Sequence, residues 1–174
     1  MEAERLIEAG RRALAESRGA PAIMAEVWQA QALARAVGGQ LVRCGPAELR
    51  TEARGLGEIG GPGAALLDHP LVPEGGVRAA QLSEVAAVPR SLEALVRLLG
   101  DVGIALVGVA CETEEEGLYW QCIEAIDAVD ESVDRVHGML RRLAEQERER
   151  EPDQERDGPY GVIRGPAGFL PGPS

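Results

Sequence analysis

The sequence contains no lysine: all 18 positive charges are arginine, against 29 aspartates and glutamates, for a net charge of −11. Arginine without lysine is the codon signature of a GC-rich genome rather than of a function. The acidic balance excludes nonspecific nucleic-acid binding, which needs a basic surface to displace counterions. It also disfavours anionic membrane surfaces. Aromatic residues are scarce, with one Phe, two Tyr and two Trp. A core must therefore be filled by Leu, Val, Ile and Ala, a palette that favours helices over strands. The three cysteines, Cys44, Cys111 and Cys122, are odd in number and none forms a C-x-x-C pair. That pattern suits a reducing compartment better than a disulfide framework. No apolar run opens the chain as a signal peptide requires. The longest, Val102 to Cys111, is ten residues, about half a membrane span. The expectation is a cytoplasmic protein that binds neither nucleic acid nor membrane.

What is present is helical periodicity. A first helix is expected over about 2–18, with Gly10 a weak point inside it and Gly19 capping its end. Pro21 then opens a second helix over about 21–43. There Ile23, Val27, Ala30, Ala34, Val37 and Leu41 repeat at steps of four and three, one face of a helix. The connection is short, so these two helices should be antiparallel. Gly38 and Gly39 are expected to kink or end the second helix, and 46–56 reads as a short, weaker one. Residues 57–76 are dense in Gly and Pro and read as a long loop, either flexible or laid over the bundle.

A third long helix is expected over about 89–110, with Ser91 as its N-cap. Leu92, Leu95, Leu99, Val102, Leu106 and Val109 form its stripe, while Ile104 and Val107 add apolar groups on other faces. No charge occurs from 102 to 111. A helix apolar all round is buried on most sides, so this one should be central or lie at a subunit contact. Gly100, Gly103 and Gly108 leave room for close helix contact. Thr113-Glu114-Glu115-Glu116 matches the capping box, placing the start of the last helix at 114. Its seam (Tyr119, Cys122 or Ile123, Ile126, Val129, Val133, Val136, Leu140, Leu143) continues to about 148, roughly 50 Å at 1.5 Å per residue. From 149 charge gives way to Pro and Gly, and the tail 149–174 reads as disordered. The fold class expected is all-α: an antiparallel bundle of four long helices and one or two short ones.

Chemistry is sparse. Glu112-x-x-Glu115 and Glu124-x-x-Asp127 precede Asp130, Glu131 and Asp134 on the last helix. Carboxylates three or four apart share a helix face, and turned into a bundle they could hold Mg²⁺ or Mn²⁺. The pattern resembles the paired acidic motifs of all-α nucleotide pyrophosphatases of the MazG type. That resemblance implies a divalent-metal enzyme on a nucleotide or other phosphorylated small molecule, with Glu115, Glu124, Asp127 and Glu131 as candidate ligands. The departure is that eight residues and a helix start separate the halves, where that family uses separate helices. The bland alternative is a solvated acidic face. Asp134-x-x-His137 is similar to half of a ferritin-like di-iron motif. The other histidine, His69, falls in the loop, so the second half is missing. Cys111 precedes a helix N-terminus, which lowers a thiol pKa, but the neighbouring glutamates raise it. Tyr119, Trp120 and Trp28 are expected to pack the bundle, or else to anchor a partner. No G-x-S-x-G, Walker A or G-x-G-x-x-G motif occurs.

The stretches VGIALVGVAC, EEGLYWQCIEAIDA and DRVHGMLRRLA, with LIEAGRRALAES and EVWQAQALARAVG near the start, resemble an uncharacterised actinobacterial family, a domain of unknown function in small standalone proteins. The likeness covers about 2–45 and 78–145. It implies a helical, cytosolic protein and supplies no catalytic or binding residues, no catalytic activity and no cofactor. The leading expectation is a non-catalytic protein that binds a protein partner or itself.

Overall fold

The computed structural model describes residues 1–59 and 77–156, with side chains to 150. Five α-helices account for nearly all of it: α1 (Ala3–Glu16), α2 (Ala20–Cys44), α3 (Arg50–Glu58), α4 (Val88–Glu112) and α5 (Glu116–Arg156). Short 3₁₀ turns stand at Ala47–Leu49 and Arg78–Gln81. No strand occurs among the described residues, so the protein is all-α. Residues 60–76 of the anticipated loop and 157–174 of the tail lie outside the described residues.

Helix directions follow from which residues meet. α1 and α2 form a hairpin across residues 17–19. Gly19 has φ +76°, a conformation glycine adopts without strain, and it leads into α2 rather than capping α1. α4 and α5 form a second hairpin across 113–115, with Gly103 facing Val129. The two hairpins meet with α1 and α4 side by side in the same direction. Glu4 pairs with Arg90, Gly10 lies against Leu98, and Arg11 bonds Asp101. The chain reaches the start of α4 by running beside α2. Arg78 meets Glu26 and Gln29 there, and Ser83 lies further along, at Gln40. The Arg78 guanidinium donates to Glu26 Oε1 at 2.8 Å and stands 2.6 Å from Oε2, while its backbone N–H donates to Gln29 Oε1 at 2.9 Å.

The core is built from the expected stripes. Val27, Ala30, Ala34, Val37 and Leu41 of α2 are buried, as are Leu92, Leu95, Leu99, Val102, Leu106 and Val109 of α4. Leu6, Ile7 and Leu14 come from α1, and Cys122, Val129, Val136 and Met139 from α5. Such aliphatic side chains contribute about 1.5–3 kcal/mol each on full burial.

The glycines of α2 depart from expectation. The helix runs through Gly38 and Gly39 to Cys44. A Cβ at Gly38 would stand 2.7 Å from Ala53 O and 2.9 Å from Gly57 N. Gly38 is the point where the backbones of α2 and α3 touch, and α3 extends to Glu58 where a loop was expected from 57.

Two caps also differ. Ser91 is buried in the first turn of α4, its N–H bonded to Ala87 O. Thr113 caps the end of α4, its N–H donating to Val109 O. Its hydroxyl therefore reaches only two residues on, accepting from the Glu115 N–H at 3.1 Å. The last helix starts at Glu116 rather than 114, and it continues beyond the expected 148 to Arg156.

Candidate interaction face

The site nominated by the acidic motifs does not come together. Glu115, Glu124, Asp127 and Glu131 are all exposed. Glu131 lies 3.4 Å from Arg135, one turn along its own helix. Among the described residues no group of three His, Cys, Asp or Glu side chains could hold a metal ion. His137 is exposed. Cys111 is exposed at the end of α4, with Glu112, Thr113, Glu114 and Glu115 between it and α5. Cys122 is buried 4.0 Å from Met24 Sδ, and that burial pushes its thiol pKa up.

The carboxylate that does gather partners is Glu52 on α3. Arg135 and Arg142 of α5 reach its two oxygens at 3.4 and 3.3 Å. The acid spacing on α5 gave no hint of this, because the acid lies on another helix. The pair clamps α3 onto α5, and close packing at Gly55, where a Cβ would stand 2.9 Å from Arg135 Cζ, belongs to the same contact.

The unusual surface is on α4. This helix is long and apolar enough, by length and composition alone, to cross a membrane, and a third of that apolar window is buried. The 92–109 stripe faces inward, but Ile104 is 75% exposed and Val107 50% exposed. Gly100, Gly108 and Cys111 are exposed on the same side, and a Cβ at Gly100 or Gly108 would meet nothing. At 100° per residue these positions share one face. It is a strip of large apolar side chains between glycines, clear of charge for three turns. Sequence reasoning put this half of α4 inside the bundle or at a contact. The available signal was that Ile104 and Val107 stand off the heptad stripe.

The strip is bounded by charge. A groove of about 540 Å³ runs between α1 and α4, lined by Glu8, Arg11, Arg12, Asp101, Ile104 and others. The Arg11 Nε–H donates to Asp101 Oδ2 at 2.7 Å. This bond and the aspartate's charge raise the arginine pKa further. Towards the start of α4 the exposed charges are Arg90, Glu93 and Arg97. At its end and just beyond stand Glu112, Glu114, Glu115 and Glu116, all exposed. Nearby in sequence, Tyr119 and Trp120 are 40% and 55% exposed and stack edge to face, with ring centroids 5.4 Å apart. They do not pack the core as expected. Trp28 is half-buried on α2.

Helices in two parallel-packed hairpins, an aliphatic core and an exposed apolar helix face define an all-α bundle protein. The chain belongs to the family of unknown function DUF6099, whose profile matches residues 1–142. That span ends one residue short of the compact unit Met1–Leu143. No curated protein and no solved structure matches the chain.

Proposed function

We propose that the protein is a non-catalytic interaction module of an actinobacterial cytoplasm, which uses the exposed face of α4 to bind protein. The observation behind this reading is Ile104, a large apolar side chain three-quarters exposed at the centre of a charge-free strip. Single exposed apolar residues are ordinary. A strip with Val107 beside it, flanked by glycines and rimmed by ion pairs, has the apolar core and polar rim of an interface. The scattered carboxylates of α5 favour the solvated-face reading over a metal enzyme.

The test is size-exclusion chromatography with light scattering on the full chain, together with affinity capture from the native host. Wild type is expected to self-associate or to retain a partner that Ile104→Glu releases. A strict monomer with no partner lost on that substitution overturns the reading.

A further inference from the structure

We propose that the occupant of this face is a second copy of the chain, with the two α4 helices packed antiparallel across a two-fold axis at Ile104. The inference rests on the interaction reading above and names its partner.

Two features of the strip point to this arrangement. The first is its symmetry in size. Gly100 and Gly108 stand four residues on either side of Ile104. In an antiparallel pair with its axis at residue 104, Gly100 of one copy faces Gly108 of the other, and Ile104 meets Ile104. Small residues let two backbones approach closely. A Cβ at either glycine would meet nothing within its own copy, so the bundle's packing does not account for them. An isologous contact must be complementary to itself, and a pattern symmetric about one bulky residue meets that condition.

The second feature is charge. The start of α4 holds Arg90, Glu93 and Arg97, with Arg90 paired to Glu4 and Arg97 to Glu93, whereas four exposed glutamates stand at and just after its last turn. Antiparallel pairing sets the Arg97 end of each copy beside the Cys111–Glu116 end of the other. Parallel pairing would set acid on acid. Keeping the two acidic ends apart favours the antiparallel orientation, and antiparallel α-helices also oppose their dipoles favourably. A lipid surface fits less well, because four glutamates at one end of the strip are repelled by anionic headgroups.

The register makes a covalent prediction. Arg97 of one copy faces Cys111 of the other. Within one chain these positions are fourteen residues apart on a single helix, about 21 Å, three times the reach of a disulfide. In a Cys44→Ser background, Arg97→Cys is expected to give a disulfide-linked dimer with native Cys111 under mild oxidation by oxidised glutathione. Arg97→Cys with Cys111→Ser is expected to stay uncrosslinked, as is the Cys44→Ser protein alone. A Cys111–Cys111 dimer in the latter would mean parallel pairing and would overturn the proposal.

Solution assembly supplies the second readout. By light scattering and sedimentation of the full chain, wild type is a dimer in the micromolar range and dissociates on raising salt. Ile104→Glu raises the dissociation constant about thirty-fold or more, the loss expected at a central hot spot. Gly100→Ala removes no contact within one copy, so at concentrations where both proteins are monomeric it melts at or above the wild-type temperature, yet it weakens the dimer. Weakening with undiminished stability separates an interface from a folding defect. A monomer at every concentration, with a host protein retained by wild type and lost from Ile104→Glu, overturns the second copy and leaves the interaction reading standing. A monomer with no partner overturns both. Recovery with vesicles of neutral lipid, abolished by Ile104→Glu, overturns both in favour of a membrane.

Discussion

Each of the three cysteines meets different surroundings, and thiol chemistry reports them directly. Cys122 is buried, and its thiol pKa is raised because the thiolate would lose its hydration there. Cys44 and Cys111 are exposed. Iodoacetamide at neutral pH is expected to label the latter two and to reach Cys122 only after unfolding, as read by peptide mass spectrometry. A thiol held protonated in the fold but free to ionise in the unfolded chain also sets a sign. As pH rises from the ordinary thiol value towards the raised one, the unfolded chain binds fewer protons, and stability falls. Melting temperature should therefore decline over that alkaline window, and Cys122→Ala should flatten the decline. Glu52 is the other residue with disproportionate reach. It receives arginines from two turns of α5, and both arginines are partly open to water, so the bridges are screened. Glu52→Ala is expected to cost about 1 kcal/mol and lower the melting temperature by roughly 2–4 °C.

Among the helices, α2 and α4 both contain glycines, and Gly38 and Gly100 behave oppositely. Gly38 sits against the backbone of α3, with Ala53 O and Gly57 N closer to a hypothetical Cβ than real Cβ atoms come. Backbone atoms cannot rotate away, so Gly38→Ala should destabilise the bundle by about 1–3 kcal/mol in chemical denaturation. Gly100 faces open space, and there alanine should gain roughly 1 kcal/mol of helix propensity. No local rule distinguishes the two from sequence, because the difference lies in what another helix brings to the position. The stripes were legible: Val27 to Leu41 and Leu92 to Val109 are buried where a helical period puts them. Caps were less so. Thr113 matched a capping box, but α4 runs up to it and takes its backbone for a C-cap. The acidic spacing on α5 read as a ligand set because positions three and four apart share a face. It could not say whether that face looks into the bundle, and it looks out.

For the molecule as a whole, the class of fold was readable and the use of its surface was not. Periodicity reports which residues can be buried together; it does not report that three neighbours leave one side of α4 bare. Calorimetric titration with Mg²⁺ or Mn²⁺ at millimolar concentration is expected to give no binding heat with the full chain. Saturable binding, lost on Glu124→Gln and Asp127→Asn, would restore the metal reading.

The parallel alliance of α1 with α4 also shapes the molecule's birth. Arg11 and Asp101, partners in the fold, are ninety positions apart in the chain. A ribosome adding about 5–20 residues per second releases α1 and α2 several seconds before α4 has been made. During that interval Leu6, Ile7 and Leu14 lack the helix that buries them, so the first hairpin spends its early life as a nascent, sticky fragment. Mutations that weaken α4 should then be felt as poor yield during translation before they are felt as a lower melting temperature.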